Sequence, residues 1–438
     1  MTHRGSRVLR VGSLARVEGE GSLHLRVAGR SVEEAQLRIY EPPRFFEAFL
    51  RGRAHTEPPD ITARVCGICP VAYQMSACRA IEDACGVTVD RPLRDLRRML
   101  YCGEWIESHA LHIYLLHAPD FLGCDSAVDL ARTRRAAVER GLRLKQAGNA
   151  ILELLGGRAI HPVNVRLGGF HRVPAHDELR PLQEKLRRAA EDAWETVGLV
   201  AGFDFPDTSL DADFLALSSP TTYAIEDGTP AVLRTDGARR HFRPSAFPDH
   251  VREEQVPHST ALHSRLDGRR HLTGPLARFA ISGDSLSPTA REAVREAGLD
   301  TVCRNPYRSV LVRAVEVVYA IDEALRIIAA YEPPARPHVD VPPRAGTGHG
   351  ITEAPRGLLY HRYRLDPEGT VTDACLVPPT AQNQGAIEDD LVRIVERTLA
   401  EGDPTDEELT RLCERAIRNH DPCISCSAHF LDLTIDRA

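Results

Sequence analysis

Long apolar runs are missing from this chain of 438 residues. No stretch approaches the roughly 18 consecutive apolar side chains that a membrane-crossing helix needs. The N-terminal MTHRGSRVLRVGS has no apolar core, which excludes an ordinary secretory signal. Basic residues are not in excess: 55 Lys and Arg face 62 Asp and Glu, giving a net charge of −7. That balance offers nothing to a nucleic acid or an anionic membrane surface. Internal repeats and low-complexity segments are also lacking, and no Gly-x-Gly-x-x-Gly turn joins a strand to a helix, so a dinucleotide is expected to bind elsewhere. What remains has ordinary globular composition, 42% hydrophobic and 27% charged, and is expected in the cytoplasm.

The length suits two or three domains or one large core. Residues 21–27 (GSLHLRV) and 33–40 (EEAQLRIY) read as strands between glycine-containing turns. Helical spacing of apolar residues marks 92–117, 130–155, 178–200 and 306–331, the second stopped by Gly156-Gly157. Residues 203–285 read as irregular with short strands, and the proline-rich 333–343 as a rigid connection. Asp-Pro-Glu-Gly (366–369) between GLLYHRYRL and TVTDACLV predicts a β-hairpin, with two short helices after it near 384–401 and 405–418. The fold class is mainly α with a smaller β portion (α+β).

Cysteine is abundant instead. Eleven cysteines, an odd number, in a chain without a secretion signal point to metal or redox chemistry rather than disulfides. Four of them form two Cys-x-x-Cys motifs, Cys66-Gly-Ile-Cys69 and Cys423-Ile-Ser-Cys426. Two thiolates from one short turn can grip one ion, and a soft sulfur set suits zinc, iron or nickel. Zinc ribbons space their pairs roughly 15–20 residues apart, whereas these pairs stand near opposite ends of the chain. Spacing alone leaves open a structural zinc, a two-metal redox site, and two unrelated pairs. The other seven (Cys78, Cys85, Cys102, Cys124, Cys303, Cys375 and Cys413) form no iron–sulfur motif.

The flanking residues decide between these. RVEGEGSLHLRV (16–27), ARVCGICPVAYQMSA (63–77), HPVNVRLGGF (161–170), RNPYRSVLVRAVE (304–316), EAPRGLLYH (353–361), VPPTAQN (377–383) and DPCISCSAHFLDLTIDRA (421–438) occur in this order. Together they resemble the large, catalytic subunits of nickel–iron hydrogenases over essentially the whole chain. The resemblance implies the large-subunit fold, with long central helices and the two terminal motifs brought together. It also implies reversible heterolytic cleavage of H2 into protons and electrons.

Residue by residue, it implies that Cys66, Cys69, Cys423 and Cys426 bind nickel. Cys69 and Cys426 would bridge to an iron carrying carbon monoxide and cyanide. Glu18 matches the carboxylate that relays protons from the terminal thiolate of Cys423, and Arg356 the guanidinium facing the open metal position. Asp421 would orient Arg356, while Thr380 and Pro379 would line the pocket of the diatomic ligands. Glu47, the Leu376 carbonyl and His429 match a second site for magnesium or iron(II).

Two departures stand out. Tyr73 and Glu20 occupy positions where many members have histidine, and tyrosine cannot become a cation there. With the short length, these suggest the cytosolic NAD(P)-linked or sulfhydrogenase alpha-subunit branch. Residues 1–429 would then form the large-subunit domain, and 430–438 an extension removed by an endopeptidase once maturation proteins have loaded the metals. Electrons would leave through an iron–sulfur small subunit, with flavin NAD(P) reductase and ferredoxin-like subunits as further partners. His109, His112 and His117, near Glu104 and Glu107, lack the paired Glu-x-x-His of a di-iron bundle; they are expected to be buried hydrogen-bonding or interface residues.

Overall fold

A computed structural model describes residues 6–42 and 45–428. Three strands, β1 (Ser6–Val11), β2 (Gly21–Ala28) and β3 (Ser31–Ile39), form an antiparallel meander. Alternate residues Leu23, Leu25 and Val27 of β2 turn inward, as a period of two requires. The first cysteine pair then leads into α1 (Pro70–Cys85).

Four long helices make the scaffold: α2 (Arg91–Leu111), α3 (Arg135–Gly156), α4 (His176–Ala201) and α5 (Ser309–Ala329). They pack in a closed cycle, α2 on α3, α3 on α4, α4 on α5 and α5 on α2. Where α2 crosses α3, Gly103 faces Gly148, and a Cβ on Gly148 would stand 2.6 Å from the Gly103 carbonyl oxygen. Backbones this close leave no room for any other residue. Past Leu111 the helix opens into a wide π-type turn through His117.

The hairpin expected around 366–369 is present, between β5 (Gly357–Leu365) and β6 (Val371–Val377). It is joined by an unexpected third strand, β4 (Gly346–Ala354). Glycines make β4 poor in side chains, and that is its use. Cβ atoms on Gly348 and Gly350 would lie 1.9 and 2.2 Å from the carbonyls of Ala80 and Ser76 on α1. The helix carrying the first cysteine pair therefore lies directly on the strand.

Residues 203–285 do contain short strands, though Pro275–Ser282 is helical. The helix expected near 384–401 is not short: α6 runs from Pro379 to Glu401, because Pro378-Pro379 starts it a turn and more earlier. The last long helix, α7 (Asp406–Asn419), begins with a capping box in which Thr405 and Glu408 satisfy each other's backbone N–H. Helical segments exceed strands, as the α+β reading requires. Among the described residues no helix is long and apolar enough to cross a membrane.

Candidate metal centre

The two ends of the chain meet in a backbone contact. Glu18 and Cys423 form a parallel bridge, and the Ile424 N–H donates to the Glu18 carbonyl at 3.0 Å. A charged knot holds them there. Arg418 grips both oxygens of Asp120 at 2.7 and 2.9 Å and donates to the Ala15 carbonyl, while Arg16 donates to the Leu116 carbonyl and pairs with Asp120.

This brings four cysteines into one buried cradle, with sulfurs within 4.8 Å of one another. Cys66 Sγ lies 3.5 Å from Cys423 Sγ, Cys69 Sγ 3.7 Å from Cys426 Sγ, and Cys423 Sγ 2.7 Å from Cys426 Sγ. All are free thiols. Cys66 Sγ accepts the N–H groups of Ile68 and Cys69, both at 3.3 Å. Cys69 immediately precedes α1; the hydrogen bond from Cys423 lowers its thiol, but those with Cys426 and Cys66, and burial, outweigh it and raise the thiol well above its ordinary pKa. The buried carboxyl of Glu104, on α2, accepts the next two N–H groups, from Val71 at 2.6 Å and Ala72 at 3.1 Å.

The second pair is held differently. The Cys423 N–H donates to Thr380 Oγ1 at 2.9 Å, and the Cys423 thiol donates to Glu18 Oε2 at 3.1 Å. The Ser425 N–H also donates to that carboxyl, at 3.1 Å. Hydrogen bonds from Cys423, Cys426 and Cys69 take the Cys66 thiol well below its ordinary pKa against the effect of burial. Burial, then the neighbouring sulfurs, push Cys423 well above its own. Burial, then the negative charge at Cys66, raises Glu18 as well, so Glu18 is a carboxyl able to receive a proton and pass it on.

Arg356 comes from the two-residue turn between β4 and β5, fixed by the pairing of Ala354 with Gly357. It is 2% exposed. Its Nε donates to the Asp421 carbonyl at 2.9 Å and its Nη2 to Asp421 Oδ1 at 3.2 Å. Nη1 is buried with no partner, and so is the hydroxyl of Tyr73. The Tyr73 ring packs 5.6 Å from His361, and burial followed by the charges of Cys426 and Cys69 keeps its phenol protonated. Pro379 is buried at the first position of α6, beside Thr380. Unmatched donors around a buried sulfur cluster are what a metal centre with anionic ligands would satisfy. The residues fit such a group.

The second site is only partly in view, since His429 lies outside the described residues, as does 430–438. Glu47 and Leu376 are neighbours: the Leu376 N–H donates to Glu47 Oε1 at 2.6 Å. Burial is the main force raising Glu47 to about 7. Glu253 was missed by sequence reasoning. Its carboxyl is raised to about 8 by burial and then by the negative Glu47, and its Oε1 is buried without a partner. A lone glutamate in a short strand gives no sequence signal for that.

The histidines near 109–117 are hydrogen-bonding and packing residues. His112 Nε2 lies 2.8 Å from the Arg418 carbonyl, His117 contacts Asp120 and Asn419, and His109 stands 2.9 Å from Glu316. Of their expected neighbours, Glu107 pairs with Lys145. None of the seven other cysteines joins a metal-ligand cluster among the described residues; burial pushes Cys78 and Cys413, for example, up to about 12.

A paired-cysteine cradle closed by both ends of the chain defines the class. The chain belongs to the nickel-dependent hydrogenase family, which matches residues 44–150 and 263–429, and it is a large subunit of that family. It is similar to two proteins of Pyrococcus furiosus. Sulfhydrogenase 2 subunit alpha is 33% identical over 97% of this chain and 100% of its own. Sulfhydrogenase 1 subunit alpha is 34% identical over 96% and 97%. An NAD+-reducing [NiFe]-hydrogenase crystallised in the H2-reduced state superposes with a TM-score of 0.86 at 26% identity, covering 97% of this chain and 99% of that one. The sulfhydrogenase branch suggested by Tyr73 and Glu20 is the one these relatives represent.

Proposed function

We propose that this hydrogenase subunit carries out reversible heterolytic cleavage of H2 with Cys423 and Glu18 as its first proton acceptors. The 3.1 Å contact from the Cys423 thiol to Glu18 Oε2 carries this reading. Cys66, Cys69, Cys423 and Cys426 would hold a nickel–iron centre, with Cys69 and Cys426 also offering their sulfurs to the iron, which would carry carbon monoxide and cyanide. When bound, that centre supplies the polarisation of H2 and takes up its electrons. Cys423 holds the released proton at Sγ, and Glu18 takes it from there at Oε2.

Arg356 holds positive charge against the cradle, and Asp421 fixes its plane. Leaving either partner alone in this buried pair costs about 3–5 kcal/mol, so both side chains are tied to one geometry. Thr380 anchors the Cys423 backbone and stands with Pro379 beside the place of the diatomic ligands. Tyr73 brings a neutral, unpartnered O–H beside the cradle. Glu47, the Leu376 carbonyl and His429 would hold magnesium or iron(II), with Glu253 close to Glu47. The large-subunit domain ends at 429, and residues 430–438 are cut off by an endopeptidase after maturation proteins have loaded the metals. Electrons pass to an iron–sulfur small subunit, and from there through ferredoxin-like and flavin-containing subunits to NAD(P), in the cytoplasm.

The test is elemental analysis and infrared spectroscopy of the chain purified with its native partners, after mass spectrometry has shown loss of residues 430–438. Nickel and iron, with carbon monoxide and cyanide stretches, are expected. Zinc alone in the processed protein would overturn the proposal.

A further inference from the structure

A second cluster of metal-ligand side chains lies outside the cysteine cradle. His258 and His263 flank a short loop that ends in the strand His263–Leu266, and Glu388 projects from α6. His258 Nε2 stands 2.8 Å from Glu388 Oε1, and His263 Nδ1 3.9 Å from Glu388 Oε2. One ligand atom from each of the three lies within 4.8 Å of the others. In a tetrahedral zinc site with bonds of about 2.0–2.1 Å, the donor atoms stand about 3.3–3.4 Å apart. The observed separations bracket that spacing.

A hydrogen-bonded His258–Glu388 pair would account for part of this arrangement. It does not account for His263 Nδ1, which faces Glu388 Oε2 from beyond hydrogen-bond distance. That ring is 1% exposed, and its Nε2 has no hydrogen-bond partner. Gln384, one turn before Glu388, lies within hydrogen-bonding reach of His263 and orients its ring. Arg270 is close enough to oppose a cation, but Asp389 stands 3.5 Å from it and offsets its charge. Glu388 Oε1 also accepts the Leu37 N–H at 3.0 Å, which fixes the carboxylate as a second contact to a ligating group would.

We infer that His258, His263 and Glu388 bind one divalent transition-metal cation of the zinc class. Two imidazoles exclude magnesium and calcium as preferred occupants, and one carboxylate suits zinc. His258 is part-exposed, so water can complete the shell. The site is a staple. It ties the 258–263 loop to α6 and, through Leu37, to β3. Within that loop Thr260 Oγ1 donates to the Ile39 and Glu41 carbonyls at 3.0 and 2.9 Å, and the Glu41 carboxyl accepts from Ser425 Oγ at 3.0 Å. The staple thus braces the segment on which the second cysteine pair rests. It is independent of the reaction assigned to the cradle.

The test uses the matured complex, washed with a mild chelator and titrated with zinc. One zinc per large subunit is expected beyond the nickel and iron, with X-ray absorption showing nitrogen and oxygen neighbours at about 2.0–2.1 Å. His263→Ala should weaken zinc uptake by about 100-fold or more. His258→Ala, at a part-exposed position that does not threaten folding, should show the same loss, with hydrogen uptake retained. Two results overturn the inference: zinc uptake equal in wild type and His258→Ala, or sulfur neighbours at about 2.3 Å, which would place the zinc on cysteines.

Discussion

The two halves of the cysteine cradle share a spacing but not a support. Cys66 and Cys69 stand at the start of a helix, with backbone N–H groups aimed at Cys66 and the buried carboxyl of Glu104 closing the next turn. Cys423 and Cys426 have only a one-turn helix of their own, Ile424–Ser427, and depend on side chains from elsewhere: Thr380, Glu18 and Ser425's partner Glu41. Negative charge on sulfur is favoured at Cys66, whereas Cys69 beside it is raised like Cys423, despite the hydrogen bond from Cys423; the proton acceptor Glu18 stands beside Cys423. A site that separates a proton from electrons needs both, and the same Cys-x-x-Cys motif provides them because the surroundings differ.

That contrast can be broken most severely at Cys423. Cys423→Ser should abolish hydrogen uptake together with nickel retention, measured by turnover and elemental analysis; undiminished uptake would sink the assignment. Glu18→Gln comes next. It should slow hydrogen–deuterium exchange by roughly 10²–10⁴-fold with the metals still bound, and loss of nickel would show that Glu18 is structural. Glu104→Gln tests the other half: an amide cannot accept both N–H groups, so stability should fall by about 1–3 kcal/mol, read as a lower unfolding midpoint with proton exchange unchanged.

The smallest effect concerns pH. Burial works to raise the Asp120 carboxyl, but hydrogen bonds from His117 and Arg418 and the Arg418 charge outweigh it, holding Asp120 below the usual carboxylate range. Its support is therefore complete above about pH 4 and lost as pH falls further. Hydrogen exchange around 418–421 should speed up below that pH, ahead of the α1 start. If Asp120→Asn leaves the acid profile unchanged, the knot does not hold the second half.

Much of the cradle was legible because its residues sit in contiguous runs: Cys66 with Cys69, Pro379 with Thr380, Asp421 with Cys423. The hairpin around Asp366–Gly369 was legible through turn chemistry alone. What escaped notice depends on tertiary contact. The α1 helix takes its cap from Glu104, far along the sequence, rather than from a local Ser or Asp. The strand β4 begins Gly-Thr-Gly-His-Gly, a pattern with low strand propensity that makes sense only once α1 lies on it. Glu253 and the His258–His263–Glu388 group are isolated letters until burial and distance gather them. Leu376 and Glu47 stand 329 positions apart and meet only through the fold, by the Leu376 N–H.

The contact between Cys66 and Cys423 spans 357 positions in the chain. Translation makes these two sulfurs at different times, and for most of synthesis the first pair exists as a lone two-thiol clip. Such a clip has half the ligands of the finished site and none of Thr380, Arg356 or Asp421 around it. Premature capture of a common metal such as zinc is the hazard, and delivery of the right one has to wait for the far end to arrive. The order in which the ribosome presents the two motifs thus sets the timetable for metal insertion.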